Sequence, residues 1–274
     1  MPHKHQRSGA ALLSAAILAA LSMIGVHQAK AQQAAGLPGR PATLLPGIEI
    51  LVTPYLWTPW TSVDVNPANP RLPSASNTID PGKLISHLTW VPFMGEVEFR
   101  SGPYGLMTDY LHAPLKSGIS TRNILFNGAN AGLTIDTGTA VFLYRPIALP
   151  DQSLDIGAGV RAWGIDGDIS LSPRFQRLPA VNVSHGGAWA DPLLAARYHR
   201  ELGNGFGLTG YADVGGFGAG ADIDWQILAT IDYAWRPGID LHAGFRSLNF
   251  DIGAPRADFS VHMYGPIIAA TFRF

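Results

Sequence analysis

Ile223-Asp224-Trp225-Gln226-Ile227-Leu228-Ala229-Thr230-Ile231-Asp232-Tyr233-Ala234-Trp235 is the stretch on which the fold turns. Ile223, Trp225, Ile227, Ala229, Ile231, Tyr233 and Trp235 share one face of an extended chain, while Asp224, Gln226, Leu228, Thr230 and Asp232 share the other. Leu228 is the only apolar member of the second set. Strict alternation of this kind is the mark of a strand with one dry and one wet side, because successive side chains of a strand point to opposite faces. Trp225 and Trp235 stand ten residues apart. At about 3.3 Å per residue and a tilt of about 40°, that is roughly 25 Å along a barrel axis, the height of a lipid-facing apolar band between aromatic girdles.

Working outward, other segments repeat the pattern. Phe93, Val97 and Phe99 oppose Glu96, Glu98 and Arg100; Pro192, Leu194, Ala196 and Tyr198 oppose Asp191, Arg197 and His199. Leu241, Ala243 and Phe245 oppose His242, Gly244 and Arg246. Charges always fall on the face that is not apolar. Such charges are costly against lipid but can pair inside a lumen. Ten strand-length segments are expected, near 48–65, 88–100, 103–115, 130–146, 153–170, 187–200, 205–216, 223–236, 239–252 and 258–274.

Connection lengths test this division. Ser101-Gly102, Glu201 to Asn204 and Arg236-Pro237-Gly238 are tight turns, with Pro146 to Gln152 slightly longer, and they alternate with loops at 66–87, 116–129 and 171–186. Connections at 217–222 and 253–257 break the rhythm by being short. Short turns on the periplasmic side and longer loops outside are the habit of an up-and-down transmembrane β-barrel. With both termini periplasmic the strand number is even: ten is expected, with eight or twelve as neighbours. Asp80-Pro81 predicts an N-cap and N1 proline opening a short helix through His87 in the first long loop.

Composition agrees. The chain is 47% hydrophobic but only 14% charged, against about 25% in a typical soluble domain. No apolar stretch after residue 31 approaches the roughly 18 residues of a membrane helix. Cysteine is absent, which excludes disulfides and thiol chemistry. His3, Lys4, His5 and Arg7 precede the uncharged run Ala10–Val26, and Ala29-Lys30-Ala31 supplies a small-x-small site. Residues 1–31 are therefore expected to be an export signal peptide cleaved after Ala31, with a membrane anchor as the less favoured alternative. Cleavage would remove three basic residues and no acids, moving the formal charge from −1 to −4. No basic patch points to nucleic acid. Residues 32–46, rich in Ala, Gly and Pro, read as a flexible periplasmic lead-in, and 47–274 as the barrel.

The last strand ends Ile267-Ile268-Ala269-Ala270-Thr271-Phe272-Arg273-Phe274, with Ile268, Ala270, Phe272 and Phe274 on one face. It resembles the C-terminal assembly signal of bacterial outer-membrane barrels, carried here by Phe272 and Phe274. Further stretches extend the likeness. They are Pro54-Tyr55-Leu56-Trp57, Gly159-Val160-Arg161-Ala162-Trp163, Trp189-Ala190-Asp191-Pro192, Asp213-Val214-Gly215-Gly216-Phe217-Gly218, Gly244-Phe245-Arg246 and Gly265-Pro266 onward. In order and spacing, across about residues 48–274, they resemble a family of outer-membrane β-barrel proteins of Gram-negative bacteria whose function is largely unassigned. The resemblance implies fold and location, and no catalytic residues.

Candidate site residues follow from parity. Glu96, Glu98, Arg100, Asp109, Arg161, Asp191, Arg197, Asp213, Asp232 and Arg246 are expected to form a lumen charge network. Trp225, Tyr233 and Trp235 are expected in the aromatic girdle. Phe259-Ser260-Val261-His262 faintly resembles lipid A deacylases, but Tyr264 stands where their chemistry would need a serine, and His262 has the outward parity. Asp166-Gly167-Asp168 and Asp222-Ile223-Asp224 offer oxygen ligands of the type a hard cation takes, though solvated rim carboxylates explain them more simply. His87, His112, His185, His199 and His242 show no ligand spacing. The glycines of 203–207 fit a periplasmic turn, since a dinucleotide loop would need a following helix. No cofactor or metal is expected. The leading expectation is a non-catalytic, structural or surface-interaction barrel with a charge-paired lumen. A narrow porin for small solutes is the alternative, and a lipid-modifying enzyme comes behind both. Expected partners are outer-membrane lipids, the barrel-assembly machinery and periplasmic chaperones, for a monomeric protein.

Overall fold

A computed structural model describes residues 47–68, 75–79, 94–119, 126–173, 181–254 and 257–274. The segments 1–31 and 32–46, the helix expected from Asp80 and the strand start at 88–93 lie outside the described residues. The strands are β1 (Glu49–Trp57), β2 (Trp60–Pro67), β3 (Ala75–Ile79), β4 (Met94–Ser101), β5 (Tyr104–Ile119) and β6 (Phe126–Ala148), followed by β7 (Gln152–Pro173), β8 (Val181–Gly203), β9 (Phe206–Gly216), β10 (Ile223–Arg236), β11 (Ile239–Ala254) and β12 (Ala257–Arg273). All pairings are antiparallel and consecutive from β4 to β12, and β1 pairs with both β4 and β12, closing the sheet.

Twelve strands make ten staves. β1 and β2 run along the same partner, β12, and form one stave broken at Thr58-Pro59. Proline cannot donate to the ladder, and β2 continues beyond it with β3 as a hairpin partner. Opposite the break stands Gly265, where a Cβ would lie 2.5 Å from the Thr58 carbonyl oxygen, so only glycine permits this approach. The Trp57 indole donates to the Gly265 carbonyl (3.2 Å) and pins the kink.

The end that carries the tight turns is the turn end; the other is the loop end. Four turns, at Gly102, 149–151, Asn204 and Pro237, lie at the turn end with the chain terminus. There Ile50 and Phe274 exchange backbone hydrogen bonds (3.2 and 2.9 Å), so the terminal residue sits on the closing seam.

Alternation sets the two surfaces. Leu56, Phe142, Ile156, Leu194, Ile227, Ile231, Phe245 and Ile268 are exposed on the outer wall. Aromatics cluster near its margins. Tyr104 lies against Phe142 and Tyr144, and Phe206 against Tyr233, toward the turn end; Trp60 stacks on Tyr264 (5.9 Å) toward the loop end.

Candidate functional site

The inward face of each strand changes character along its length. On β11 the inward residues run His242, Gly244, Arg246, Leu248, Phe250 and Ile252 from turn end to loop end. On β12 they run Thr271, Ala269, Ile267, Gly265, Met263 and Val261. The lumen therefore has a charged half and an apolar half.

The apolar half is a packed cross-section. Trp57, Met94, Leu111, Ile135, Trp163, Leu248, Phe250, Val261 and Met263 are buried together, with Val63, Ile165, Trp189, Leu228 and Ile252 against them. Trp163 is 0% exposed; its ring stacks on Trp189 (5.9 Å) and meets Phe250 at 4.6 Å. The β9–β10 turn folds over this layer and inserts Ala221. Buried Asp191 holds it by accepting the Ala221 N–H (2.8 Å) and the Trp189 indole N–H (2.8 Å).

Beneath lie four polar clusters. Arg161, 1% exposed, donates to Asp224 (2.6 Å), Asp213 (2.6 Å) and Thr139 (3.0 Å), and Trp163 donates to Asp224 (3.1 Å). Arg246 donates to Asp109 (3.0 Å), Tyr55 (2.8 Å) and Gln226 (2.7 Å), its guanidinium lying 5.0 Å from the Trp57 ring centre. Arg100, Arg145 and Arg197 converge on the Asp155 carboxylate, and Arg100 and Arg197 also grip Glu98 (2.8 and 2.7 Å). Nearer the rim, Asp232 accepts from Thr230 (2.7 Å) and Thr209 and lies 2.7 Å from His242 Nδ1; His242 Nε2 reaches Thr271 (2.8 Å). His199 lies between Thr209 (2.9 Å) and Glu201 (3.2 Å). Every one of these charges is paired within hydrogen-bond reach, which offsets the cost of keeping it out of water.

Among the ten lumen residues proposed from parity, Asp191 belongs to the apolar half as a turn anchor. Glu96 lines the charged half, its carboxylate without a hydrogen bond among the described residues, and the other eight sit in the clusters above. Sequence reading missed Tyr55, Arg145, Asp155, Asp224 and Gln226, although Asp224 and Gln226 stand on the wet face of the opening stretch. It also missed that His199 and His242 approach the same carboxylate, Asp232, from β8 and β11. Trp225, Tyr233 and Trp235 face outward, Trp225 half-buried. His262 faces outward, 3.0 Å from Asn249, and His112 pairs with Asp136 (2.7 Å) on the outer wall. Asp224 turns inward to Arg161, Asp222 caps the Gly253 N–H (2.7 Å), and Asp166 is exposed. No group of three or more His, Asp or Glu among the described residues is arranged to hold a metal ion.

The charged half encloses a cavity of about 370 Å³ that opens at the turn end between Glu49, Glu201, Asp240 and Arg273. Its floor is formed by Tyr55, Asp109, Gln226 and Arg246, directly under the apolar layer.

No protein-family model matches the sequence, and no curated protein matches it. Solved structures do. The outer-membrane protease OmpT of Escherichia coli superposes with a TM-score of 0.56 at 8% identity, covering 85% of this chain and 99% of that one. The translocator domain of the autotransporter NalP from Neisseria meningitidis aligns at 10% identity and a TM-score of 0.38, over 83% of this chain and 89% of that one. Ail, the attachment invasion locus protein of Yersinia pestis, aligns at 11% identity and a TM-score of 0.32, over 84% and 100%. At such identities the likeness speaks of architecture, and only the first exceeds a TM-score of 0.5. Ten antiparallel staves, an apolar outer wall and an OmpT-like superposition together give this chain the fold of the bacterial outer-membrane β-barrels.

Proposed function

We propose that this chain is an integral outer-membrane protein, with its termini and tight turns toward the periplasm, acting as a non-conducting structural or surface-interaction barrel. One observation carries the reading: nine of the ten staves, together with Ala221 of the β9–β10 turn, contribute to or pack against an apolar layer that crosses the lumen, with Trp57, Trp163, Leu248 and Met263 virtually without solvent contact. A pore needs a continuous wet path, and a close-packed layer of this kind holds no water.

Catalysis finds little support in the lumen. Asp232, His242 and Thr271 form a carboxylate–imidazole–hydroxyl relay, the order seen in acyl-transfer triads. Such a site also needs donors for an oxyanion, and the neighbouring backbone N–H groups are committed to the β10–β11 and β11–β12 ladders. Outside, His262 meets Asn249 and Tyr264 stacks on Trp60; Ser62 stands opposite His262 in the β2–β12 ladder, but its hydroxyl is engaged with Thr78 (3.0 Å) and makes no hydrogen bond to the imidazole among the described residues. The word protease describes OmpT, and the shared fold does not transfer it.

The test is planar-bilayer recording of the refolded protein. Silence beyond membrane breakdown is expected; discrete, reproducible single-channel steps would sink the reading in favour of a narrow porin. Membrane fractionation and heat-modifiable gel migration test the location, and a protein soluble without detergent would contradict it.

A further inference from the structure

The charged half of the lumen is nearly self-sufficient in ion pairs, and Glu96 is the exception that faces the cavity. Glu96 projects from β4 into the cavity, yet its carboxylate makes no hydrogen bond to a described residue. The two nearest guanidinium groups are committed elsewhere: Arg197 spends its donors on Glu98 and Asp155, and Arg246 on Asp109, Tyr55 and Gln226. Across the lumen the Tyr211 hydroxyl lies beside Asp213 Oδ1 without meeting hydrogen-bond geometry, but both atoms are closed off from the cavity. Carboxylates lining the cavity outnumber arginines by seven to five. Between these groups runs an apolar strip of Leu51, Met107, Leu228, Ile267 and Ala269.

We propose that this cavity binds a small organic cation entering from the turn end, a primary ammonium group on a short apolar chain, with the Glu96 carboxylate as its counter-ion. The chemistry follows from what is missing. An ionised carboxylate held out of bulk water without a hydrogen bond is costly, and a cation that donates to it relieves that cost. An ammonium group carries three donors to offer Glu96, while a carboxylate or phosphate ligand would meet an acidic majority. The apolar strip takes the hydrocarbon part. At 370 Å³ the cavity falls in the size range of small-molecule sites, and the apolar layer makes it a dead end rather than a passage.

The test is isothermal titration of n-butylammonium chloride into the full-length protein refolded in detergent, with 1-butanol and butyrate as controls. Saturable one-to-one binding of butylammonium is expected, with neither control binding. Glu96→Gln, which keeps the shape and removes the charge, is expected to weaken binding about tenfold or more. Heat-modifiable migration verifies that the variant has folded. If Glu96→Gln fails that check, the ammonium-against-alcohol comparison still decides. Absence of saturable butylammonium binding, equal affinity for butanol, or undiminished binding by folded Glu96→Gln overturns the proposal.

Discussion

The two halves of the lumen solve one problem by different physics. Both must fill the inside of a ten-stave barrel, whose bore side chains can nearly close. The loop half does so with Trp, Leu, Ile, Met and Phe, gaining from packing and from removing apolar surface from water. The turn half does so with Arg, Asp and Glu, where removing charges from water is a loss that hydrogen-bonded pairing offsets. Packing tolerates a missing methylene by local collapse; a charge cluster tolerates nothing that leaves one member alone. Damage to the charged half is therefore expected to cost more per side chain, although intact it contributes little net stability.

The largest expected effect is at Arg161. Truncation in Arg161→Ala leaves Asp213 and Asp224 buried without their cation, and loses about 3–5 kcal/mol in urea unfolding from bilayers. The comparison sharpens with Arg161→Met, Asp213→Leu and Asp224→Leu combined, which extends the apolar layer downward. That variant is expected to be as stable as the parent or about 1–4 kcal/mol more so. A combined variant as damaged as Arg161→Ala would mean that the charges themselves, and not their pairing, hold the barrel.

In the apolar half, Leu248→Ala removes a fully buried side chain beside Phe250 and Met263. About 2–5 kcal/mol is expected, depending on how far the layer collapses into the void. The paired Trp57→Ala and Trp163→Ala variant is expected to turn a silent bilayer recording into a leaky one. Persistent silence would place the seal elsewhere in the lumen and break the contrast between the halves.

Much of this contrast was legible along the chain, and what was not has a geometric cause. Period-2 alternation assigns a residue to a side of the wall, so Ile223 to Trp235 and their wet-faced neighbours were readable at once. It does not say which side chains meet across a closed lumen. Glu98 and Arg197 lie 99 residues apart on β4 and β8, strands that do not pair, and they touch only because the barrel closes. Asp155 shares its face with Arg161, opposite Leu154, Ile156, Ala158 and Val160, so its side was legible; what stayed hidden is that Arg100, Arg145 and Arg197 converge on it across the lumen. Leu228 looked like a flaw in the opening stretch, yet it packs against both buried apolar clusters. The inward series Leu248, Phe250, Ile252 was visible too, but an expectation of polar interiors hid its meaning. The break at Thr58-Pro59 shows in the proline, whereas its tolerance depends on Gly265 two hundred residues away.

The smallest expected effect is at the rim, where Arg273 sits 49% exposed between Asp240 (2.6 Å) and Glu49 (3.8 Å). Its geometry matches that of Arg161, a guanidinium within reach of two carboxylates. The surroundings differ, because water and salt screen the rim, and neither carboxylate is stranded when the arginine goes. Arg273→Ala is expected to cost about 1 kcal/mol or less in the same unfolding measurement. It also spares the backbone bonds between Ile50 and Phe274 that close the seam, so folding by heat-modifiable migration is expected to be unchanged. A loss approaching that of Arg161→Ala would show that closing the first strand on the last depends on this ion pair. Charge in the barrel would then matter by its place on the seam rather than by its depth.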